Sequence, residues 1–302
     1  MKIIFMGTPD YAKVILERIV QTEGMEVVAV YTQPDKPVGR KKTLTAPPIK
    51  VLACSYNIPV FQPNKLREAE VVAEVCSMAC DFIVVAAYGQ ILPKAILEHA
   101  PCINLHASIL PSYRGASPIQ QTLVNGDTKT GVTAMLMDEG LDTGAVLKIE
   151  EVVVAPDMMA GKLFETLTDV AAELTIDVLQ NFASLTPLAQ NEAEATHCTK
   201  ITKNDGLIDF DDAAAIYNRY RAFTPWPGIF LQSGLKLKKM ALHAKEGNHK
   251  AGAIVEITPK SIVVGCQKGS LEIFTLQPPS KNEMDALSYI NGKRLSLADI
   301  LS

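Results

Sequence analysis

Four short apolar runs, at residues 2–6, 25–31, 81–88 and 100–106, alternate with segments whose apolar positions recur at helical spacing, notably 11–20, 49–56 and 65–78. A strand that is apolar at every position must be covered on both faces. Strands joined through helices pair in parallel. The implied fold class is therefore α/β, a doubly wound, mostly parallel Rossmann-like sheet. Sheets of this kind take ligands outside the carboxyl ends of their strands. The residues that follow the apolar runs carry the functional interest: Gly7, 88–93 and 104–115.

The second half continues with strand-like runs at 132–138 and 145–154 around a GLDTG turn, then a helical stretch at 161–185. Residues 186–205 are polar and poorly periodic. Beyond them the texture changes to short alternating runs at 235–244, 253–257, 261–266 and 270–276, and residues 281–294 read as one helix. Short antiparallel strands with one helix suggest a small barrel. The expected organisation is a catalytic domain at 1–185, a linker at 186–206 and an OB-like barrel domain at 207–302. A chain of 302 residues is long enough for two cores.

Composition excludes several classes. Net charge is only −4 with 48% hydrophobic residues, so the chain is not disordered. The longest apolar runs fall well short of the roughly 18 to 20 residues of a membrane span. The start MKIIFMGTPD carries no apolar region with a cleavage site, and a cytoplasmic location is expected. Six cysteines (54, 76, 80, 102, 198, 266) are scattered without a CxxC pair, which reads as free thiols in packed positions, with no metal site. Residues 1–206 carry 17 Lys and Arg against 24 Asp and Glu; residues 207–302 carry 12 against 9. A basic final third on an acidic body points to a polyanionic partner.

Gly7-Thr8-Pro9 follows the first strand, but Pro9 and Asp10 break any G-x-G-x-x-G fingerprint, which excludes a dinucleotide enzyme. The densest constellation is INLHASILPSYRG, 103–115. Asn104 and His106 stand two apart at the end of an apolar strand, so their side chains share one face. An amide donor suits a developing oxyanion, and an imidazole suits proton transfer. Asp142, between two glycines in DEGLDTG, supplies a carboxylate able to orient such a histidine. Taken singly, a buried histidine and turn residues are the better readings of these positions.

Together, NLHASILPSYRGASPIQ and DEGLDTG resemble the formyltransferase family that draws on 10-formyltetrahydrofolate. Further matching segments run end to end: IIFMGTPDYA, YTQPDKPVGRKK, VVAAYGQILPK, GDTKTGVTAMLMDEGLDTG, RAFTPWPG and LQPPSKNEMDALSYINGKR. The C-terminal segments and the basic loop resemble the branch that formylates the methionine carried by initiator tRNA for translation initiation. Relatives that act on a sugar-nucleotide amine would share the first domain. The resemblance implies 10-formyltetrahydrofolate as co-substrate and initiator methionyl-tRNA as partner; separately, no metal and a monomer are expected. It implies catalysis by Asn104, His106 and Asp142. It places folate against Ser108, Ile109, Leu110 and Pro111, with Gly89, Ile91, Leu92 and the 138–142 turn completing the pocket. The loop 33–45 carries Lys36, Arg40, Lys41 and Lys42 against Asp35. By resemblance it orders over the tRNA acceptor end, with Arg40 foremost and Lys41 and Lys42 as phosphate neighbours. In the barrel, Arg219, Arg221, Lys236, Lys238, Lys239, Lys245 and Arg294 are candidate backbone contacts. Lys236 and Lys238 are expected on one strand face with Lys239 opposite. Trp226, between two prolines, is expected to pack at the barrel entrance.

Overall fold

The computed structural model describes residues 1–39 and 41–301, and the chain divides into two compact units. The first comprises Met1–Pro118, Lys129–Val153 and Phe164–Cys198. It begins with β1 (Lys2–Gly7), α1 (Asp10–Val20) and β2 (Glu26–Tyr31). A small hairpin of β3 (Lys36–Val38) and β4 (Thr43–Thr45) follows, then α2 (Pro48–Ser55), β5 (Val60–Phe61) and α3 (Ala69–Ser77). Next come β6 (Phe82–Ala86), α4 (Lys94–Leu97), β7 (Cys102–His106), β8 (Arg114–Gly115), β9 (Lys129–Leu136), β10 (Val146–Val153), most of α6 (Ala160–Asn181) and β11 (His197–Cys198), while α5 (Pro118–Asn125) falls in the second unit from Ile119 on.

The main sheet runs β10-β9-β7-β6-β1-β2-β5. Its five central and right-hand strands are parallel, as the sequence implies, while β9 and β10 join antiparallel. β1 is buried from Ile3 to Met6 because it pairs on both sides and is covered on both faces. One face packs Ile4, Met6, Tyr31, Ile83, Val85 and Cys102 against Leu66, Val75 and Ile96. The chain passes from β1 to one side (β2, β5) and then to the other (β6, β7). The loops after β1 and β6 therefore flank the point where strand order reverses.

The second unit comprises Ile119–Thr128, Val154–Leu163 and 199–302. Helix α7 (Ala213–Phe223) leads into an antiparallel sheet of β12 (Ile229–Phe230), β13 (Lys236–Ala244), β14 (Ile254–Ile257), β15 (Ile262–Gly265), β16 (Ser270–Gln277) and β17 (Met284–Asp285). The order is β12-β13-β16-β15-β14, with β17 on β16. Helix α8 spans Ala286–Lys293. The single helix expected over 281–294 is shorter at its start. Asp285 caps it by accepting from the Ser288 N–H at 2.7 Å, and Met284–Asp285 pair with β16 instead. α7 had a legible signal, alanines behind the Asp212 cap, which accepts from Ala214 and Ala215 N–H.

Candidate active site

β7 ends in Asn104-Leu105-His106. The alternation of the strand turns Leu105 into the core and presents Asn104 and His106 together on the other face. The turn after β9 brings Asp142 to both of them. Its Oδ1 accepts from Asn104 Nδ2 at 3.5 Å, and its Oδ2 stands 3.6 Å from His106 Nδ1. Oδ2 also accepts from the Gly115 backbone N–H at 2.8 Å. His106 Nε2 lies 2.9 Å from the Tyr113 carbonyl. A carbonyl only accepts, so Nε2 carries the proton and Nδ1 is the nitrogen that faces the carboxylate. The sequence expectation thus brings Asn104, His106 and Asp142 into one cluster, with His106 and Asp142 side chains 7% and 11% exposed.

The loop between His106 and Gly115 is fixed by internal bonds. The Ser108 hydroxyl donates to the Ser112 carbonyl. Thr133 Oγ1 donates to the Ser108 carbonyl at 2.7 Å and accepts from the Leu110 N–H at 3.1 Å. Tyr113 holds a left-handed backbone, φ 61°, which costs an aromatic residue about 1–3 kcal/mol and persists only where its surroundings dictate it. Here Tyr113 N–H donates to Thr196 Oγ1 at 2.8 Å, and its carbonyl accepts from His106 and from the Cys198 thiol. Two glycines are obligatory. A Cβ on Gly115 would lie 2.2 Å from the Cys198 carbonyl oxygen, and one on Gly144 would lie 1.7 Å from that of Leu136.

Arg114 sits among these groups and is 1% exposed. A buried guanidinium needs a partner. It meets the Glu192 carboxylate through two bonds, 2.9 Å from Nη1 and 2.7 Å from Nη2, and Gln190 Oε1 through Nε and Nη2. The Glu192 carboxylate raises the Arg114 pKa, and the guanidinium holds the Glu192 carboxyl below its ordinary range. Arg114, Gln190 and Glu192 were missed in the sequence. Arg114 lies within the motif but has no local acidic neighbour, and its partners fall in a stretch that reads as polar and aperiodic. In the structure that stretch supplies β11, parallel to β8, and the Val146–Leu188 bridge.

The residues expected around folate divide into two sets. Ser108, Leu110 and Leu92 are buried, with Leu92 in the hydrophobic core beneath the 87–93 loop. Ile109 and Pro111 are half-buried, Gly89 is exposed, and Ile91 is 82% exposed. The same loop is tied across the switch point. The Tyr88 carbonyl accepts from Thr8 Oγ1 and from Gln33 Nε2.

The loop 33–45 forms the β3–β4 hairpin, pairing Lys36 with Thr45 and Val38 with Thr43. Lys41 and Lys42 are exposed at its turn; Arg40 lies outside the described residues. The base of the hairpin is latched. Lys50 Nζ meets both Asp35 oxygens and Gln62 Oε1, and Gln62 Nε2 donates to Asp35 and to the Gln33 carbonyl.

In the second unit three expectations change. Arg221 is 3% exposed and bonded to Asn218 and the Met158 carbonyl, so its charge is not presented to solvent. A bulge around Lys239 turns Lys236, Lys238 and Lys239 all outward, with Lys239 Nζ 5.6 Å from the Phe274 ring centroid. Trp226 is 60% exposed instead of packed.

Comparison with known proteins decides the family. Residues 1–179 match the formyl transferase domain, and residues 200–294 match the formyl transferase C-terminal domain. The chain belongs to the formyl transferase family. This formyl transferase is 66% identical over 302 residues to the methionyl-tRNA formyltransferase of Sulfurimonas denitrificans, covering 100% of both chains. It is 56% identical over 301 residues to that of Nitratiruptor sp., covering 99% of each. Its fold is shared with the N-formyltransferase of Helicobacter canadensis solved with folinic acid and dTDP-3-aminofucose. The TM-score there is 0.69 at 18% identity, covering 91% of this chain and 99% of that one. Among the described residues no group of three or more His, Cys, Asp or Glu is placed to hold a metal ion, and no helix is long and apolar enough to cross a membrane.

Proposed function

We propose that this chain transfers the formyl group of 10-formyltetrahydrofolate to the free amine of methionine esterified to initiator tRNA. The observation that carries the reading is the convergence of Asn104, His106 and Asp142 on one buried-edged spot at the end of β7. The full-length likeness to methionyl-tRNA formyltransferases supports the acceptor.

The amine is its own nucleophile when neutral, and the neighbouring ester lowers its basicity. Its attack forms a carbon–nitrogen bond and a tetrahedral oxyanion. Breaking the bond to nitrogen 10 then releases tetrahydrofolate, while the amine proton passes to that nitrogen. Asn104 Nδ2, which shares one hydrogen with Asp142, has a second for the oxyanion. One such donor is worth roughly 3–4 kcal/mol. Asp142 holds Asn104 and faces His106 Nδ1, so the pair can take and return the proton.

Folate would lie along the accessible side of the loops, against Ile109, Pro111, Gly89 and Ile91. Ser108, Leu110 and Leu92 would support that surface from beneath. Lys41 and Lys42, with Arg40, would meet tRNA phosphates. In this reading residues 1–185 are catalytic, 186–206 connect, and 207–302 form an OB-like tRNA-binding domain acting as part of a cytoplasmic monomer.

The test is formylation of Met-charged initiator tRNA by the purified protein with 10-formyltetrahydrofolate, scoring formyl-methionine and free tetrahydrofolate. A Met-charged elongator tRNA and an Asn104→Ala, His106→Ala double variant serve as controls. Formylation of the initiator alone, lost in the variant, is the expected result. Folate binding without formylation would move the acceptor to a sugar-nucleotide amine.

A further inference from the structure

The carboxylate of Asp142 is placed by a turn whose own backbone is held from outside the motif. Gln190 does the holding. Its Nε2 donates to the Asp142 carbonyl at 2.9 Å and to the Gly144 carbonyl at 2.7 Å. Its Oε1 accepts from Arg114 Nε at 3.1 Å and Nη2 at 2.9 Å. All four ports of the amide are used. Its orientation is settled by chemistry, because guanidinium groups only donate and carbonyls only accept. Arg114 is in turn clamped by Glu192, and Asp142 itself stands in a left-handed conformation, φ 56°. Such a backbone needs external support.

The rest of the strap grips the other half of the cluster. The Thr196 N–H donates to the Pro111 carbonyl and the Thr196 carbonyl accepts from Arg114 N–H. The Cys198 thiol donates to Tyr113, whose carbonyl also accepts from His106 Nε2. One segment, 190–198, therefore grips both the Asp142 turn and the loop that orients His106.

We propose that Gln190 is a positioning residue that sets the Asp142 carboxylate against Asn104 and His106. The proposal rests on the role of those three residues given above. Gln190 touches none of the reacting atoms. It acts through the Asp142 and Gly144 carbonyls, coupling them to the Arg114–Glu192 pair.

Gln190→Glu is the discriminating variant. It keeps an acceptor for Arg114 but turns carboxylate oxygens toward two carbonyls, removing the donor half alone. Gln190→Ala removes both halves. Gly115 N–H donates to Asp142 Oδ2, whereas its neighbours Arg114 and Ala116 donate to the Thr196 and Cys198 carbonyls. Amide exchange of Gly115 therefore reports the position of Asp142 without any substrate. In Gln190→Glu, Gly115 protection falls at least tenfold while Arg114 and Ala116 keep theirs. Unchanged Gly115 protection overturns the proposal, and so does loss at all three, which marks general unfolding of the strap.

In the formylation assay kcat falls about 10²-fold, the scale of a small misplacement of a reacting constellation. KM for folate and for tRNA stays within about twofold. Added to Asp142→Asn, the Gln190→Glu change costs nothing further; independent, multiplying losses would overturn the coupling. A wild-type chain that formylates nothing would defeat the functional reading, and the Gly115 exchange result would still decide Gln190.

Discussion

The loop 106–115 and the hairpin 36–45 are similar in length, and both are assigned to the same proposed reaction. They are built in opposite ways. The first is pinned by buried and partly buried polar bonds: Ser108 to Ser112, Thr133 to Ser108 and Leu110, and Arg114 to Glu192. The second is solvent-exposed from Lys36 to Thr45 apart from its undescribed residue, and is held at its base by Asp35, Lys50 and Gln62. The difference follows from the work proposed for each. Stabilising a transient oxyanion needs donors fixed before the reaction begins. Meeting a phosphate backbone needs charge within reach, and long-range attraction tolerates loose geometry.

That contrast breaks most sharply at Asn104. Asn104→Ala lowers turnover by about 10²–10³-fold with little change in either KM, measured by steady-state formylation. Unchanged turnover would remove Asn104 from the mechanism. Gly144→Ala comes next. Its Cβ would meet the Leu136 carbonyl oxygen at 1.7 Å, so the Asp142 turn must shift. The expected cost is about 1–3 kcal/mol, seen as a fall in Tm of several degrees together with lost turnover. A fully active, equally stable variant would show that the turn is more pliable than its contacts imply.

On the hairpin side, Lys41→Ala with Lys42→Ala raises KM for tRNA several-fold and leaves kcat and the folate KM alone. The salt dependence of binding weakens by about one unit of slope per lysine. A fall in kcat instead would mean that the hairpin shares the precise role of the 106–115 loop.

The smallest effect concerns the latch. Bonds from the Gln62 amide and then from Lys50 hold the Asp35 carboxyl below its ordinary range. A depressed carboxyl contributes stability that is present above its unfolded value, about 4, and is lost as pH falls through the folded one. The stability gap between wild type and Asp35→Asn should therefore be greatest near neutrality and close on acidification below pH ~4, followed by thermal melts. A gap independent of pH would show that the carboxylate charge is not what holds the hairpin.

Much of the candidate cluster was legible because it is written locally. N-x-H at a strand end fixes two side chains on one face by the period of the strand, and an aspartate between glycines announces a turn. The positions proposed for folate were less legible. Ile109 and Leu110 are both apolar and adjacent, and only packing sends Leu110 inward and leaves Ile109 half-exposed. Lys239 was misplaced because strict alternation cannot foresee a bulge. Arg221 was misjudged because a helical arginine looks the same in sequence whether or not its charge is presented to solvent; here burial lowers its pKa.

The alternation of strands with helices, the identity of the catalytic candidates and the change of texture near residue 206 follow from the sequence, because each depends on short-range periodicity and on the chemistry of single residues. Tertiary structure alone decided that 190–198 belongs against the His106–Gly115 loop. Arg114 finds Glu192 across 78 positions and Gln190 finds the Asp142 carbonyl across 48. Polar pairings at that separation leave no periodic trace. They form only after the sheet has brought the partners together.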